Sequence, residues 1–510
     1  MKEERGKLDS AGESDIKVSF HSPLSTHKNR SPMNHHNHPR NLSMLTDLYQ
    51  FTMMYGYFRE GMTQTEGVFD LFFRPREPLH YALVAGLSSV IEYIQNLRFV
   101  EEDIRYLRSL RLFNEEFLSA LRGLRFTGEL YAMPEGSVAF PGEPLLRVRA
   151  PLMEAQLVET ALLTLINHQT LIATKASRVC YAAEGDAVLE FGLRRAQGPD
   201  AGILGARAAV IGGCTATSNV LTGELFALNV AGTHAHSWVM SFPDELSSFR
   251  AYAKVFPDTC MLLVDTYDTL RSGLPNAITV FRELRDAGHI PVGIRLDSGD
   301  LAYLSKKARE MLDAAGFENA SICASGDLDE HLIRDLKMQG AKIDSWGVGT
   351  RLITSEDCPA LGGVYKMSAE IKNGVVTPKM KLSDNPEKTT NPGVKKVSRL
   401  YDPEGKAIAD LLQLEEETID TSRPLTIFDP LAPYKRMTLA DFTARELLIP
   451  IFKGGACVYE SPPVTEIRAY AAQELSTFWD EYKRVRNPHV YKVDLSDALY
   501  ALKQRILTGR

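Results

Sequence analysis

From residue 186 to residue 350, short runs of apolar, β-favouring residues alternate with runs whose apolar positions recur at helical spacing. The segments 187–191, 229–232, 261–264, 291–296, 321–324 and 342–348 read as strands. Between them, 200–212, 218–228, 243–255, 274–287, 300–314 and 329–339 read as helices, and Pro275 follows Gly273 at a first-turn position that tolerates proline. Alternation with connections this short predicts parallel strands joined by right-handed crossovers. The expected form is an irregular parallel (β/α) barrel, with an open doubly wound sheet as the other solution, because the six visible strands fall short of eight.

The flanks follow a different rhythm. Residues 44–57 read as an aromatic-rich helix capped near Ser43, 67–73 as a strand ending at Arg74-Pro75, and 131–149 as strands and turns. A long helix is expected over 155–176, where apolar residues recur near 157, 161, 165 and 172, burying one face. After Thr350, segments 363–382 and 396–412 alternate like antiparallel strands, with a turn at Asp402-Pro-Glu-Gly405; helices at 465–482 and 496–506 close the chain. Residues 1–40 are polar and contain His21, His27, His35, His36 and His38 without apolar periodicity, the pattern of a disordered tail. The expected division is therefore a tail at 1–40, the first part of a mixed α+β domain at 41–155, an α/β barrel-like catalytic domain at 156–355, and the remainder of the α+β domain at 356–510.

Composition narrows the function class. At 510 residues, the chain has room for several domains of roughly 150 residues each. Its 58 basic and 65 acidic side chains leave a net charge of −7, which offers no strongly cationic surface for a nucleic-acid partner. The six cysteines form no C-x-x-C pair and read as reduced, and no apolar run approaches a membrane span, so a cytoplasmic protein without a membrane partner is expected.

The candidate chemistry sits where the predicted strands end, because loops leaving the carboxyl ends of parallel strands converge on one face. Those loops carry Arg194 and Arg195, then Thr233-His-Ala-His236, Asp265, Arg295-Leu-Asp297-Ser-Gly-Asp300, Ser325-Gly326-Asp327 and Gly347-Val-Gly349-Thr350. Guanidiniums hold carboxylate or phosphate, and a Gly-x-Gly-Thr turn offers N–H groups and a hydroxyl to phosphate. Asp265, Asp297 and Asp300 would orient the arginines or hold Mg²⁺ bridged to phosphates. Each piece has a plainer reading: an Arg-Arg pair is usually a solvated face, Gly-x-Gly a turn, and Asp after a strand a helix cap. Their recurrence at six successive strand ends favours a site for a multiply anionic small molecule. His234 and His236 would share one side if their segment stays a strand; a turn would separate them, leaving one chemical and one packed. A metallohydrolase would need further histidines at later strand ends, yet His289 precedes its strand and His331 falls in a helix.

The motifs Asn41-Leu-Ser-Met-Leu-Thr-Asp-Leu-Tyr-Gln50, Gly192-Leu-Arg-Arg-Ala-Gln-Gly-Pro-Asp200, Gly232-Thr-His-Ala-His-Ser237, Asp265-Thr-Tyr267, Arg295-Leu-Asp-Ser-Gly-Asp300 and Gly347-Val-Gly-Thr350 resemble those of the nicotinate phosphoribosyltransferase family. The resemblance runs from about residue 41 to the C-terminus and includes Pro378-Lys-Met-Lys-Leu-Ser383. It implies a type II phosphoribosyltransferase, usually a homodimer with sites completed across subunits. The implied reaction joins nicotinate to 5-phosphoribosyl 1-pyrophosphate in NAD biosynthesis, with ATP hydrolysis coupled through a phosphohistidine and Mg²⁺ as cofactor. By motif, Tyr49 and Thr233 would contact nicotinate, Arg295 would hold its carboxylate, and His236 would be phosphorylated, with Asp297 in the catalytic group. Arg194, Arg195, Ser325, Gly326, Gly347, Gly349 and Thr350 would take the phosphoribosyl moiety, and Asp265 with Asp297 the metal. The alternative is an ATP-independent relative acting on nicotinamide or quinolinate.

Overall fold

The computed structural model describes residues 41–383 and 389–509; the tail expected over 1–40, with its five histidines, lies outside the described residues. Six strands, Ala187–Glu190, Ala216–Thr217, Met261–Leu263, Gly293–Leu296, Ser321–Gly326 and Ser345–Val348, form one sheet in which every pair is parallel. The last of these strands lies beside the first, and the others follow in chain order on either side. Pairing does not close the sheet. The strand expected at 229–232 is reduced to one parallel bridge between Val230 and Thr217, and among the described residues no ladder joins that segment to Met261–Leu263. Val230 is half-exposed, so burial does little to hold this segment in the sheet. The parallel alternation is observed; a closed barrel is not shown.

The intervening helices are Pro199–Ile211, Val220–Phe226, Glu245–Val255, Leu274–Asp286, Leu301–Ala314 and Glu330–Met338. Side-chain caps start four of them: Asn219, Asp244, Asp300 and Asp329 accept backbone N–H groups from Thr222, Ser247, Tyr303 and Leu332. Each such cap is worth about 1 kcal/mol. Asp300 thus caps a helix, the plainer of its two readings. Near the start of the described chain, Leu48–Arg59 is helical, but Ser43 does not cap it. The Ser43 hydroxyl instead donates to Asn41 Oδ1 and accepts the Arg98 N–H, holding a turn that precedes the helix.

The seven-stranded second sheet is antiparallel and takes Glu66–Phe73, Glu129–Ala132 and Leu146–Pro151 from one side of the parallel region. Gly363–Lys372, Val375–Pro378, Ile449–Lys453 and Ala456–Cys457 come from the other side. The hairpin read across Asp402 to Gly405 is present as Lys395–Tyr401 paired with Ala407–Leu414.

The long helix runs Glu159–Ala182, preceded by Leu152–Leu157. From Gln169 to Val179 every residue is buried, so the helix buries its whole circumference rather than the single face its periodicity suggests. Several of its buried polar residues are satisfied in place. Thr170 and Thr174 hydroxyls accept the Ala85 and Leu83 N–H groups, while Lys175 and Arg178 pair with buried Glu330 at 2.7 and 2.9 Å.

Candidate active site

The carboxyl ends of the parallel strands bring the expected loops together. Arg295, next to last in its strand, is the hub. Its Nε donates to Ser325 Oγ at 2.8 Å, Nη1 to Thr233 Oγ1 at 3.1 Å and Nη2 to Asp297 Oδ1 at 2.8 Å. A neighbouring loop residue and two groups 30 and 62 residues away thereby fix one guanidinium, whose side chain remains 15% exposed. Ser325 also donates to Asp297 Oδ1. Burial works to raise the Asp297 pKa, but the Ser325 hydrogen bond and the Arg295 charge outweigh it and hold the carboxyl below its ordinary range. Asp297 is therefore ionised at neutral pH.

Asp265 supports this carboxylate from below. Its Oδ2 accepts the Asp297 backbone N–H at 3.0 Å and the Ser298 hydroxyl at 2.6 Å, while its buried Oδ1 has no protein partner. His236 begins the short helix His236–Met240; its Nδ1 lies 3.1 Å from Thr266 Oγ1 and its Nε2 lies 3.8 Å from Asp297 Oδ2. The imidazole is partly open to solvent at 39%.

A turn separates the two histidines. His234 is buried, edge-on to Tyr252 with ring centroids 4.7 Å apart, and its Nε2 accepts the Leu263 backbone N–H at 3.3 Å. An imidazole nitrogen thus replaces a strand carbonyl at the open edge of the parallel sheet. Burial pushes the His234 pKa from 6.5 down to about 4. Because the unfolded chain binds this proton more readily, stability falls as pH drops from about 6.5 toward 4, by about 3 kcal/mol at full protonation. Urea unfolding of the protein and of His234→Asn between pH 7 and pH 4.5 checks this; the variant is expected to be less stable at pH 7 and to lose less on acidification.

Two residues of the site were not singled out from sequence. Phe191 lies beneath the guanidinium, with Arg295 Cζ 5.6 Å from the ring centroid. Glu190, fully buried, accepts the Gly192 N–H and the Thr217 hydroxyl, fixing the turn that carries Phe191. Glycine across the sheet makes room for the ring: a Cβ at Gly347 would sit 2.5 Å from Phe191 Cδ2, and one at Gly349 3.3 Å from Phe191 O. Gly347→Val is expected to cost about 1–3 kcal/mol by overpacking and Gly349→Ala less, as measured by chemical unfolding. A Phe ending a strand before Gly is the sequence signal for this contact, but the register that brings Gly347 opposite is not legible locally.

The remaining candidates are placed as follows. Gly326 has φ +115°, and a Cβ there would lie 2.7 Å from Asp297 O, so only glycine allows this approach. Thr350 follows Gly349 at the start of the short helix Thr350–Ile353, beside the Phe191 carbonyl. Arg194 and Arg195 stand exposed in the turn after Phe191, and neither guanidinium forms an ion pair among the described residues. Tyr49 stands apart: it is 48% exposed on Leu48–Arg59, and no contact within the described chain joins it to the Arg295 group. His289 pairs with Asp258 at the surface and His331 lies on the helix Glu330–Met338, so neither approaches His236 in a shared metal cluster.

This arrangement presents a cation over an aromatic face, an ionised carboxylate, a half-open imidazole and a glycine turn at one end of a parallel sheet. Comparisons with known proteins agree with it. Three family profiles match in chain order: the nicotinate phosphoribosyltransferase N-terminal domain at residues 44–167, the nicotinate phosphoribosyltransferase family at 187–406 and its C-terminal domain at 394–503. The chain is 49% identical over 469 residues to nicotinate phosphoribosyltransferase of Bacillus subtilis (strain 168), covering 91% of this chain and 95% of that protein. It is 36% identical over 527 residues to the Homo sapiens protein of that name, covering 92% and 97%. The crystal structure of human nicotinic acid phosphoribosyltransferase superposes with a TM-score of 0.79 at 34% identity, over 91% of this chain and 100% of that one. On these matches, the chain belongs to the nicotinate phosphoribosyltransferase family.

Proposed function

We propose that the protein joins nicotinate to 5-phosphoribosyl 1-pyrophosphate, releasing pyrophosphate and nicotinate mononucleotide, in the salvage of nicotinate for NAD. The observation that carries this reading is the fixed guanidinium of Arg295 above the Phe191 ring. A planar pyridine stacks on such a face while its carboxylate meets the cation, with the Thr233 hydroxyl alongside. The pyridine nitrogen already carries a lone pair, so no general base is required. Catalysis then consists of holding that nitrogen in line with the anomeric carbon and stabilising the departing pyrophosphate. Gly349 and Thr350 offer backbone N–H groups and a hydroxyl for the 5′-phosphate, with Ser325, Gly326 and Gly347 shaping the floor and Arg194 and Arg195 at the rim.

Asp265 Oδ1, buried and unpartnered, and Asp297 Oδ2, the oxygen not bonded to Arg295, are the carboxylate atoms that fit Mg²⁺. Magnesium shared with substrate phosphates would neutralise charge on the leaving pyrophosphate. For ATP coupling, Thr266 holds Nδ1 of His236, leaving Nε2 as the nitrogen to accept the γ-phosphoryl group. Tyr49, which shares no contact with Arg295 among the described residues of one chain, fits a homodimer in which a second copy supplies it. The same reading takes 156–355 as the catalytic domain and the flanking segments as a second domain, supported by the antiparallel sheet that draws strands from both. A cytoplasmic location is part of this proposal; no helix among the described residues is long and apolar enough to cross a membrane.

Incubation with nicotinate, nicotinamide or quinolinate, each with 5-phosphoribosyl 1-pyrophosphate and Mg²⁺ and with or without ATP, tests the reading. Nicotinate mononucleotide should form, faster with ATP and with ADP released. Preference for nicotinamide or quinolinate, or indifference to ATP, would favour the ATP-independent alternative.

A further inference from the structure

The strands Ser321–Gly326 and Ser345–Val348 pair in parallel, and their ladder ends with Gly326 opposite Val348. Beyond that point, Arg351 Nη1 donates to Asp329 Oδ2. Among the described residues no other ion pair joins 325–329 directly to 347–357. Both partners are anchored. Asp329 is buried, and its Oδ1 accepts the Leu332 N–H at 2.8 Å as the cap of Glu330–Met338. Burial works to raise the Asp329 pKa, but the Leu332 N–H and the Arg351 guanidinium hold the carboxyl below its ordinary range, so it is ionised at neutral pH. Arg351 directly follows Thr350 in the short helix Thr350–Ile353.

Two other sets of contacts fix the segment that carries Arg351. Buried Ile353 fills the space that two glycines leave: a Cβ at Gly192 would lie 2.5 Å from Ile353 Cβ, and one at Gly205 2.7 Å from its Cδ1. Farther on, Asp357 Oδ1 accepts Lys175 Nζ at 2.7 Å and Asp357 Oδ2 lies 3.7 Å from Arg178 Nη1. Lys175 and Arg178 in turn face the two oxygens of buried Glu330 at 2.7 and 2.9 Å, as charge pairs rather than aligned hydrogen bonds. The four charges alternate in a closed ring, so the carboxylates near His331 are already neutralised by cations and do not read as a metal site. The consecutive residues Asp329 and Glu330 therefore hold the two ends of 351–357, and loss of the Asp329 contact leaves the Ile353 packing and the charge ring in place.

We propose that Asp329 and Arg351 are positioning residues for 5-phosphoribosyl 1-pyrophosphate: their ion pair sets the span between Ser325-Gly326-Asp327 and the Gly349–Thr350 turn, and with it the affinity for the ribose 5-phosphate end of the ligand. This rests on the reading of that turn as the 5′-phosphate site. The N–H and hydroxyl groups of the two segments must converge on one ligand, and a displacement of about 1 Å in such a site can cost up to about a hundredfold. Without the pair the segments beyond the ladder take up a wider range of spans, and binding must then supply the cost of ordering them. Asp329 and Arg351 act on the ligand through Thr350 and the glycines beside them, not by touching it.

Isothermal titration calorimetry on the full chain, with Mg²⁺ and without nicotinate, compares 5-phosphoribosyl 1-pyrophosphate with pyrophosphate, which shares its leaving group but lacks the ribose 5-phosphate. Asp329→Asn keeps an oxygen for the Leu332 N–H and turns its amide NH₂ toward Arg351; Arg351→Gln removes the charge from the other side. Each is expected to raise the Kd for 5-phosphoribosyl 1-pyrophosphate about tenfold and to leave that for pyrophosphate unchanged. The double variant should bind no more weakly than either single one, because both remove the same interaction, and Arg351→Lys should recover part of the loss. A Kd for 5-phosphoribosyl 1-pyrophosphate within about twofold of the unsubstituted protein in both single variants, even where their melting temperatures fall, would overturn the proposal, as would losses that multiply in the double variant or an equal loss for pyrophosphate. Failure of the unsubstituted protein to bind 5-phosphoribosyl 1-pyrophosphate would instead contradict the proposed function, and the positioning role with it.

Discussion

Arg295→Ala is expected to lower kcat/KM for nicotinate by about a hundred- to several-thousand-fold, the equivalent of about 3–5 kcal/mol for loss of one partner of a partly buried charge pair. The loss should fall mainly on the acid. Nicotinamide presents no counter-charge to the guanidinium, so its poor turnover should change little, and selectivity between the two should collapse. Arg295→Lys keeps the charge but cannot reach Ser325, Thr233 and Asp297 together, as the guanidinium does through three separate nitrogens, and should recover only a fraction of the activity. Steady-state kinetics with both pyridines measures this. Retained preference for nicotinate in Arg295→Ala would place the carboxylate elsewhere.

His236→Ala is expected to remove ATP stimulation completely while leaving slow ATP-independent transfer. The imidazole touches Thr266 and faces Asp297, but the Arg295 hydrogen bonds do not pass through it, so the pyridine pocket should survive its loss. Incubation with γ-labelled ATP should label the unsubstituted protein and not the variant, with the label lost in acid as phosphoramidates are. Stimulation by ATP that persists in His236→Ala would exclude the phosphohistidine role.

The parallel region was legible because its signals are local. Each strand is a short apolar run, and each helix has an apolar face, often with a capping side chain at its start, as at Asp244 and Asp329. The strand ends holding Arg295, Ser325 and Gly347, and Asp297 just beyond the first of them, were legible for the same reason, since they complete or directly follow those strands. What was hidden depends on contacts between distant segments. Glu190 reads as the last polar residue of a strand until Thr217 and the Gly192 N–H are brought to it. The strand Ala216–Thr217 is only two residues long, following Gly212-Gly213 and preceding the cap Asn219, so it leaves no periodicity. Spacing alone allows His234 and His236 either a shared face or a split by a turn; burial against Tyr252 and the Leu263 N–H makes His234 the packed one. Ser43 resembles a helix cap in sequence, yet its hydroxyl serves Asn41 and Arg98.

A crystal structure of the protein with nicotinate mononucleotide bound tests the account most directly. The account predicts the pyridine ring stacked on Phe191, its carboxylate on the Arg295 guanidinium and its 5′-phosphate at the Gly349–Thr350 turn. A nucleotide whose carboxylate contacts neither Arg295 nor Thr233, or whose phosphate lies away from that turn, would contradict it.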